Sequence, residues 1–439
     1  MQPALRGKRY YTTFQSIGIH ASICNRIKSA FGFEQPTATQ QQLIAAMLSG
    51  QDILLRDATG TGKSFGLAVA LANNVHNHHK LPAMYITPNQ ELAVQVQRWL
   101  DVLAPTSASQ VKIGTAGQIM RDHKEQPLMP HCIILDEADQ AFRLPKRYAS
   151  VRDQLMRQKH PKPAQLLLES IMPIHSSPPQ PKPQLVVASA TLNRPLRHWL
   201  IRDRKWMQHP TFIDTTQGSV QSPTSPVQHH CLLLDDDAIR NISPVDLFEF
   251  ANPRKSQRQQ SPANEGTNAS VIDDQIIGSL SVLIEEEQPT MKDAIVFVDA
   301  STSNLDIQQR LDIDSQAFTV KDIRDAFSTP TFTSHDSSSS PSASPSTDRA
   351  SHHTLWIANE FSARGIDLPR VSHVFILGKP SSVTGYLHMA GRTGRLGSDG
   401  QPRPGKVISL VPNHGYTEAK LVQMYKLMQI PVTPLPYVE

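Results

Sequence analysis

The sequence predicts an α/β protein of two domains, each a parallel sheet flanked by helices, and three observations carry that expectation. Short apolar runs at 53–55, 84–87, 132–135 and 185–188 alternate with helical patterns, as strands do in βα units. A Gly-rich turn at 59–64 follows the first of these runs and opens a helix-like stretch at 65–73. A second set of apolar runs recurs at 294–298, 354–358, 373–377 and 406–411. A chain of 439 residues has room for two such cores.

The stretches between these runs set the expected boundaries. Residues 1–13 read as a basic leader and 14–214 as the first domain. From 215 to 290 the pattern degrades into Gln, Ser, Pro and Asn clusters with Asp235-Asp236-Asp237 and Glu285-Glu286-Glu287, which reads as a partly disordered linker. Residues 291–413 form the second domain. Within it, 328–353 is dominated by Ser, Pro and Thr and reads as a flexible insertion. A short tail, 414–439, ends the chain.

A net charge of +4 permits a nucleic-acid partner without requiring one. Cys24, Cys132 and Cys231 are too widely spaced for a disulfide framework or a zinc signature. No continuous apolar run approaches the ~18 residues of a membrane span. Arg6, Lys8, Arg9, Arg26 and Lys28 precede the first acid, Glu34, an Arg-bearing, acid-free pattern like that of mitochondrial transit peptides. The mitochondrial matrix is therefore the expected address, with cytoplasm or nucleus as the alternative.

Chemistry enters with Thr59-Gly60-Thr61-Gly62-Lys63-Ser64. Strand, Gly-rich turn and helix start is the context of a phosphate-binding loop. Its backbone N–H groups wrap phosphates, Lys63 reaches the β and γ oxygens, and Ser64 binds Mg²⁺. The generic pattern has Gly where this chain has Asp57. The apolar run 133–135 then ends in Asp136-Glu137-Ala138-Asp139. Asp136 can hold Mg²⁺ through water, and Glu137 can orient or deprotonate an attacking water.

Asp136-Glu137-Ala138-Asp139 resembles the signature of DEAD-box ATP-dependent RNA helicases, superfamily 2 enzymes with two RecA-like domains, and its neighbours agree. FEQPTATQ at 33–40 resembles the Q motif, which implies that Gln40 reads the adenine edge, with Phe14 at the upstream aromatic position. Ser189-Ala190-Thr191 matches the motif that couples hydrolysis to strand separation. Thr87-Pro88 and Thr115 with Gly117 lie in stretches similar to the first two RNA-contacting motifs. In the second domain, Ile295-Val296-Phe297 looks like motif IV, and the stretch holding Arg364, Gly365 and Asp367 looks like motif V. HMAGRTGR, from His388 to Arg395, looks like motif VI.

The resemblance implies ATP and Mg²⁺ as cofactors and RNA held mainly through its backbone. It also implies Arg392 and Arg395 as arginine fingers, Asp367 on the ribose, His388 as a coupling residue, and Arg364 with Gly365 against RNA. Ribosomal or ribonucleoprotein assembly partners and a monomer are expected. The implied function is an RNA-dependent ATPase that unwinds or remodels short duplexes; a catalytically weak RNA-binding assembly factor is the alternative.

The chain departs from the family in places. Gln90, Gln118 and Met389 stand where the family has Arg, and Ala358-Asn359-Glu360 replaces an Ala-Thr-Asp run. Only 21 positions separate Ala93 from Gly114, and 22 separate Leu305 from Phe327, each short by about one strand-helix unit. Between Arg143 and Lys162 there are seven Lys or Arg residues against Asp153, either an added RNA-binding face or a solvated helix face.

Overall fold

A computed structural model describes residues 13–77, 82–145, 149–172, 182–215, 227–235, 238–243, 274–328, 352–368, 370–395, 397 and 403–438. The chain divides into two compact units, with the boundary between Gly218 and Ser219.

The first unit begins with helices α1 (Ala21–Phe31) and α2 (Ala38–Leu48), then alternates β1 (Ile53–Arg56), α3 (Lys63–Asn77), β2 (Ala83–Thr87), α4 (Gln90–Leu103), β3 (Val111–Thr115), α5 (Ala116–Glu125) and β4 (Cys132–Leu135). Three helices follow, α6 (Ala138–Phe142), α7 (Val151–Lys159) and α8 (Pro163–Ile171). The unit closes with β5 (Gln184–Ser189), α9 (Arg194–His198) and β6 (Thr211–Asp214). Its strands form one parallel sheet in the order β3-β2-β4-β5-β1-β6. Ile53 and Leu55 point into one apolar cluster with Ile23, Ile27 and Leu43, while Leu54 points into the opposite one with Ile133 and Leu167. Alternate residues thus bury both faces, which is why these strands read as continuous apolar runs.

The second unit contains β7 (Val227–Leu234), β8 (Ile239–Asn241), α10 (Asp274–Glu287), β9 (Asp293–Val298), α11 (Asn304–Arg310), β10 (Phe318–Asp322), α12 (Asp325–Ser328), β11 (His353–Asn359), β12 (Val371–Leu377), α13 (Val383–Ala390), β13 (Gly405–Pro412) and α14 (Thr417–Met428). Its order is β10-β11-β9-β12-β13-β7-β8, parallel except for the terminal β7–β8 pair. Again Ile295 and Phe297 enter one cluster and Ala294 and Val296 the other.

Two expected boundaries need correction. The span 215–290 is not one linker: β7, β8 and α10 belong to the second unit, with β7 paired to β13 along eight residues from Gly405↔Val227 to Pro412↔Leu234. The polar residues flanking β7 masked its apolar half, Cys231 to Leu234, which is buried. Residues 244–273, and 329–351 of the expected insertion, lie outside the described residues, as do 1–12 of the leader. Nor is 414–439 merely a tail, since Leu421, Tyr425, Ile430, Val432 and Leu435 are all core residues. Leader-like basic residues are likewise drawn into the fold: Arg26 donates to the Leu103 carbonyl at 2.9 Å, and Lys28 pairs with Glu34 at 2.7 Å. After each short connection comes an edge strand, β3 in one sheet and β10 in the other. Among the described residues no helix is long and apolar enough to cross a membrane.

A buried ionic knot ties the end of the chain to the second sheet. Glu287 accepts from Lys406 Nζ at 2.6 Å, the Tyr437 hydroxyl at 2.6 Å and His373 Nε2 at 3.1 Å. Burial alone would raise the Glu287 pKa, but the hydrogen bonds from His373, Lys406 and Tyr437 outweigh it and hold the carboxyl well below the usual range. A depressed carboxyl pKa contributes stability that is complete above the unfolded value and is lost as the pH falls through and below it. Glu287→Gln is therefore expected to remove much of the acid-side loss of stability below about pH 4; urea midpoints across that range check this, and an unaltered slope would show that the knot adds nothing.

Candidate active site

In an all-parallel sheet every strand ends at the same edge, and loops there converge. The register pairs Arg56 with Ser189, and Ile86 with both Leu135 and Gly114, so the segments following β1, β2, β3, β4 and β5 open side by side. These segments carry the phosphate loop, Thr87-Pro88, Thr115, Asp136-Glu137 and Ser189-Ala190-Thr191.

The phosphate loop turns through Gly60 and Gly62, both at φ +80°, a left-handed conformation that glycine adopts without a Cβ penalty. A Cβ on Gly62 would also lie 2.7 Å from Gln40 Nε2. Lys63 begins α3, is 6% exposed, and donates to the Asp57 carbonyl at 3.1 Å and to the Ala58 carbonyl. A cationic donor held by carbonyl oxygens at the start of a helix fits phosphate oxygens, which would compete for the same N–H groups.

Gln40 is buried and occupied at both ends. Its Oε1 accepts from the Thr37 backbone N–H at 3.0 Å, completing a capping box, while Nε2 donates to the Gly62 carbonyl at 3.1 Å. It thus links the start of α2 to the phosphate loop. Phe14, expected as an upstream aromatic on the nucleotide, is 3% exposed and packs in the core beneath. Asp57 was seen only as a departure from the pattern. Its carboxylate accepts from Thr39 Oγ1 at 2.7 Å and from the Ala58 N–H at 2.7 Å, fixing the first bend of the loop.

At the end of β4, Asp136 is 1% exposed. Burial and the neighbouring Glu137 charge push its pKa up to about 6, while hydrogen bonds from Ser64 and Tyr85 and the Lys63 charge act in the opposite direction. The Tyr85 hydroxyl donates to Asp136 Oδ2 at 2.8 Å. Glu137 is buried at φ +52°, a left-handed backbone that costs a non-glycine residue about 1–3 kcal/mol. Two residues on, Asp139 accepts from Ser189 Oγ at 2.6 Å and from Thr191 Oγ1 at 2.7 Å. The acid tetrad is thereby tied to the segment that follows β5.

The sequence assigned no role to Tyr85, Asp139, Asp57 or Thr39. Tyr85 had a signal, a phenol in an otherwise aliphatic strand, which when buried needs a partner.

The RNA-facing residues expected in this unit serve the fold as well. Thr87 is 3% exposed and donates to the Asn89 carbonyl at 2.8 Å, and Thr115 accepts from the Gln118 N–H to cap α5. Pro88 starts the turn into α4, and a Cβ on Gly117 would meet open space.

In the second unit, the segments after β11 and α13 are laced together. Arg392 is 4% exposed and donates to the His388 carbonyl at 2.9 Å, the Ile366 carbonyl at 2.9 Å and the Ala363 carbonyl at 3.3 Å. Within its own unit the Arg392 guanidinium braces these segments, because burial obliges its N–H groups to find acceptors. Arg395 pairs with Asp367, so the expected ribose ligand and second finger meet each other here. Arg364, expected against RNA, is 5% exposed and paired with Glu360, and Gly365 turns at φ +73°. His388 is buried at 2% exposure.

The departures from the family pattern have local causes. Asn359 Oδ1 accepts from the N–H groups of Phe361 and Ser362 at 3.0 and 2.8 Å, making the turn itself. Met389 lies in the apolar core, where a guanidinium would be desolvated.

A phosphate loop after β1 with a buried acid pair at the end of β4, on the same sheet edge, defines a P-loop nucleoside triphosphatase. Two family models narrow the class: DEAD/DEAH box helicase matches residues 37–199 and Helicase conserved C-terminal domain matches 280–397. The chain belongs to the DEAD-box family of superfamily 2 helicases. It is 23% identical to DEAD-box ATP-dependent RNA helicase RhpA of Helicobacter pylori, over 94% of this chain and 72% of that protein. It is also 23% identical to ATP-dependent RNA helicase eIF4A of Eremothecium gossypii, over 92% and 88%. Among solved structures, Saccharomyces cerevisiae Dbp5 bound to RNA and ADP BeF3 shares the fold, with TM-score 0.61, 18% identity, and 94% and 93% coverage of the two chains. Mss116p bound to single-stranded RNA and AMP-PNP gives TM-score 0.60 at 17% identity, over 97% and 79%.

Because the Tyr85 hydroxyl favours the charged form of Asp136, Tyr85→Phe should raise that carboxyl's pKa. The acid limb of kcat/KM for ATP hydrolysis, which reports the free enzyme, is then expected to move to higher pH; an unmoved limb would assign it to another group.

Proposed function

We propose that this chain is an RNA-dependent ATPase that remodels short RNA duplexes or ribonucleoprotein, with ATP on the phosphate loop and Mg²⁺ held by Ser64 and Asp136. The observation that carries the reading is the gathering, along one sheet edge, of Lys63, of Ser64 hydrogen-bonded to Asp136, and of Asp139 hydrogen-bonded to Ser189 and Thr191. The donor set suits a hard divalent cation, a hydroxyl beside an acid that is ionised at neutral pH. When bound, such a cation neutralises charge that develops on phosphoryl oxygens.

The residues of the chain divide the remaining work. Lys63 binds and orients the phosphates. Glu137, buried on a strained turn, orients the attacking water and takes its proton. Asp139 ties the tetrad to Ser189 and Thr191, so a change at the phosphate reaches the segment after β5 through two hydroxyl hydrogen bonds. RNA is bound chiefly through phosphates and 2′-OH groups, as the helicases named above are described with RNA. Ribosomal or ribonucleoprotein assembly is the proposed setting, with the chain acting as a monomer.

ATP hydrolysis with and without single-stranded RNA tests this. RNA should stimulate turnover, and Glu137→Gln should lower it by about 10²–10⁴ while nucleotide still binds. RNA binding with no turnover in the parent would leave a scaffold rather than an enzyme.

For the address, we propose the mitochondrial matrix on the strength of Arg6, Lys8 and Arg9. A full-length fluorescent fusion is expected to colocalise with mitochondria, and a cytosolic or nuclear signal would end that reading.

A further inference from the structure

Positive charge is concentrated on one part of the first unit that lies outside the phosphate site. The described residues of 143–162 and 194–205 carry ten Lys or Arg against Asp153 and Asp203, a surplus of eight in a chain whose whole net charge is +4. The two segments are far apart in sequence but flank one groove of about 730 Å³. Helix α7 supplies Gln154, Arg157 and Gln158 to it, α8 supplies Gln165, and the turn after α9 supplies Trp199 and Arg204. No residue of α7 is buried, and its Arg152, Gln158 and Lys159 are exposed.

The lining of the groove is formally neutral, Arg157 and Arg204 against Glu169 and Asp203, so the surplus of charge lies on the segments around it. Asp203 lies 3.5 Å from His198, and Glu169 is paired to Arg204 at 2.8 Å. Arg157 spends Nη2 on the Phe142 carbonyl at 2.9 Å, and its buried Nε and Nη1 have no hydrogen-bond partner among the described residues. Burial and the Arg204 charge both disfavour the Arg157 cation. An anion with several acceptor oxygens would satisfy those N–H groups and offset that repulsion. Arg204 stands over the Trp199 ring at 5.0 Å, a flat cationic wall of the kind that meets a sugar-phosphate backbone. The groove also hangs directly from the functional site, since Phe142 ends α6, the helix opened by the acid tetrad.

We propose that this groove and its basic rim form an accessory RNA-binding face, which grips the phosphate backbone of a structured or double-stranded region flanking the strand being remodelled. The inference rests on RNA being the substrate. RNA is favoured over an acidic protein because Arg157 keeps two N–H groups for acceptor oxygens, Arg204 lies against the Trp199 ring, and the flanking segments carry cations suited to phosphates at regular spacing. The exposed Val151, Leu155 and Met156 on α7 are the feature that a protein partner would use instead.

The test is the triple variant Arg152→Glu, Lys159→Glu and Arg202→Glu, all exposed, on the two segments that flank the groove and outside the phosphate site. Two probes are compared by direct binding across a salt series: a ten-nucleotide unstructured RNA, and the same strand joined to a long hairpin. The hairpin RNA should bind the variant about tenfold or more weakly, with a log–log salt slope smaller by about 2–3. Affinity for the short strand and the ATP turnover it stimulates should stay as in the parent. Equal affinities and slopes in variant and parent would overturn the proposal and leave the face to an acidic protein. Equal losses for both RNAs would overturn it too, since the charges would then act on the central strand. If the parent binds neither RNA, the RNA reading itself fails; if it binds the short strand but gains nothing from the hairpin, only the accessory face does.

Discussion

Covering both faces of a parallel sheet is the constraint on which the rest of this molecule depends. Ile53 and Leu55 must face one apolar cluster while Leu54 faces the other, so the strands carry little polar chemistry along their length, the Tyr85 hydroxyl being an exception. Polar chemistry is displaced to the strand ends. Because all strands run the same way, those ends lie along a single edge, and residues from Lys63 to Thr191 are gathered there.

Once at that edge, the polar groups are close enough to water to function and buried enough to influence one another. Asp136 shows the balance: burial raises its pKa, and Ser64, Tyr85 and Lys63 draw it back so that it remains a carboxylate at neutral pH. Asp139, only partly buried, has both oxygens taken by Ser189 and Thr191. The two aspartates of one tetrad thus have different work, one facing the phosphate loop and the other the segment beyond β5. Glu137 between them occupies a left-handed turn that the burial of its neighbours holds in place.

The second unit follows the same sheet logic but uses its arginines differently. Arg392 braces the segment after β11 through three carbonyls, and Arg364 and Arg395 are held by Glu360 and Asp367. Departures from the family pattern are absorbed locally, Asn359 by making a turn and Met389 by joining the core. Chain segments with weak sequence patterns still find places in this sheet, as β7 does against β13 and the end of the chain does through Glu287.

The sequence by itself determined the α/β class, the doubling of the sheet, the phosphate loop and the acid tetrad, because each is written in contiguous residues whose spacing obeys local geometry. Gly60 and Gly62 mark a turn only glycine makes cheaply, and an apolar run that ends in Asp136 marks a strand end. Partnerships between distant segments were decided by tertiary structure alone. Thr39 with Asp57, Tyr85 with Asp136, Ser189 with Asp139 and the two basic segments flanking one groove are separated by 18, 51, 50 and 32 positions. Such pairs leave no periodic mark, since a hydrogen bond constrains only two side chains, and only the packing of the sheet brings those two side chains within reach.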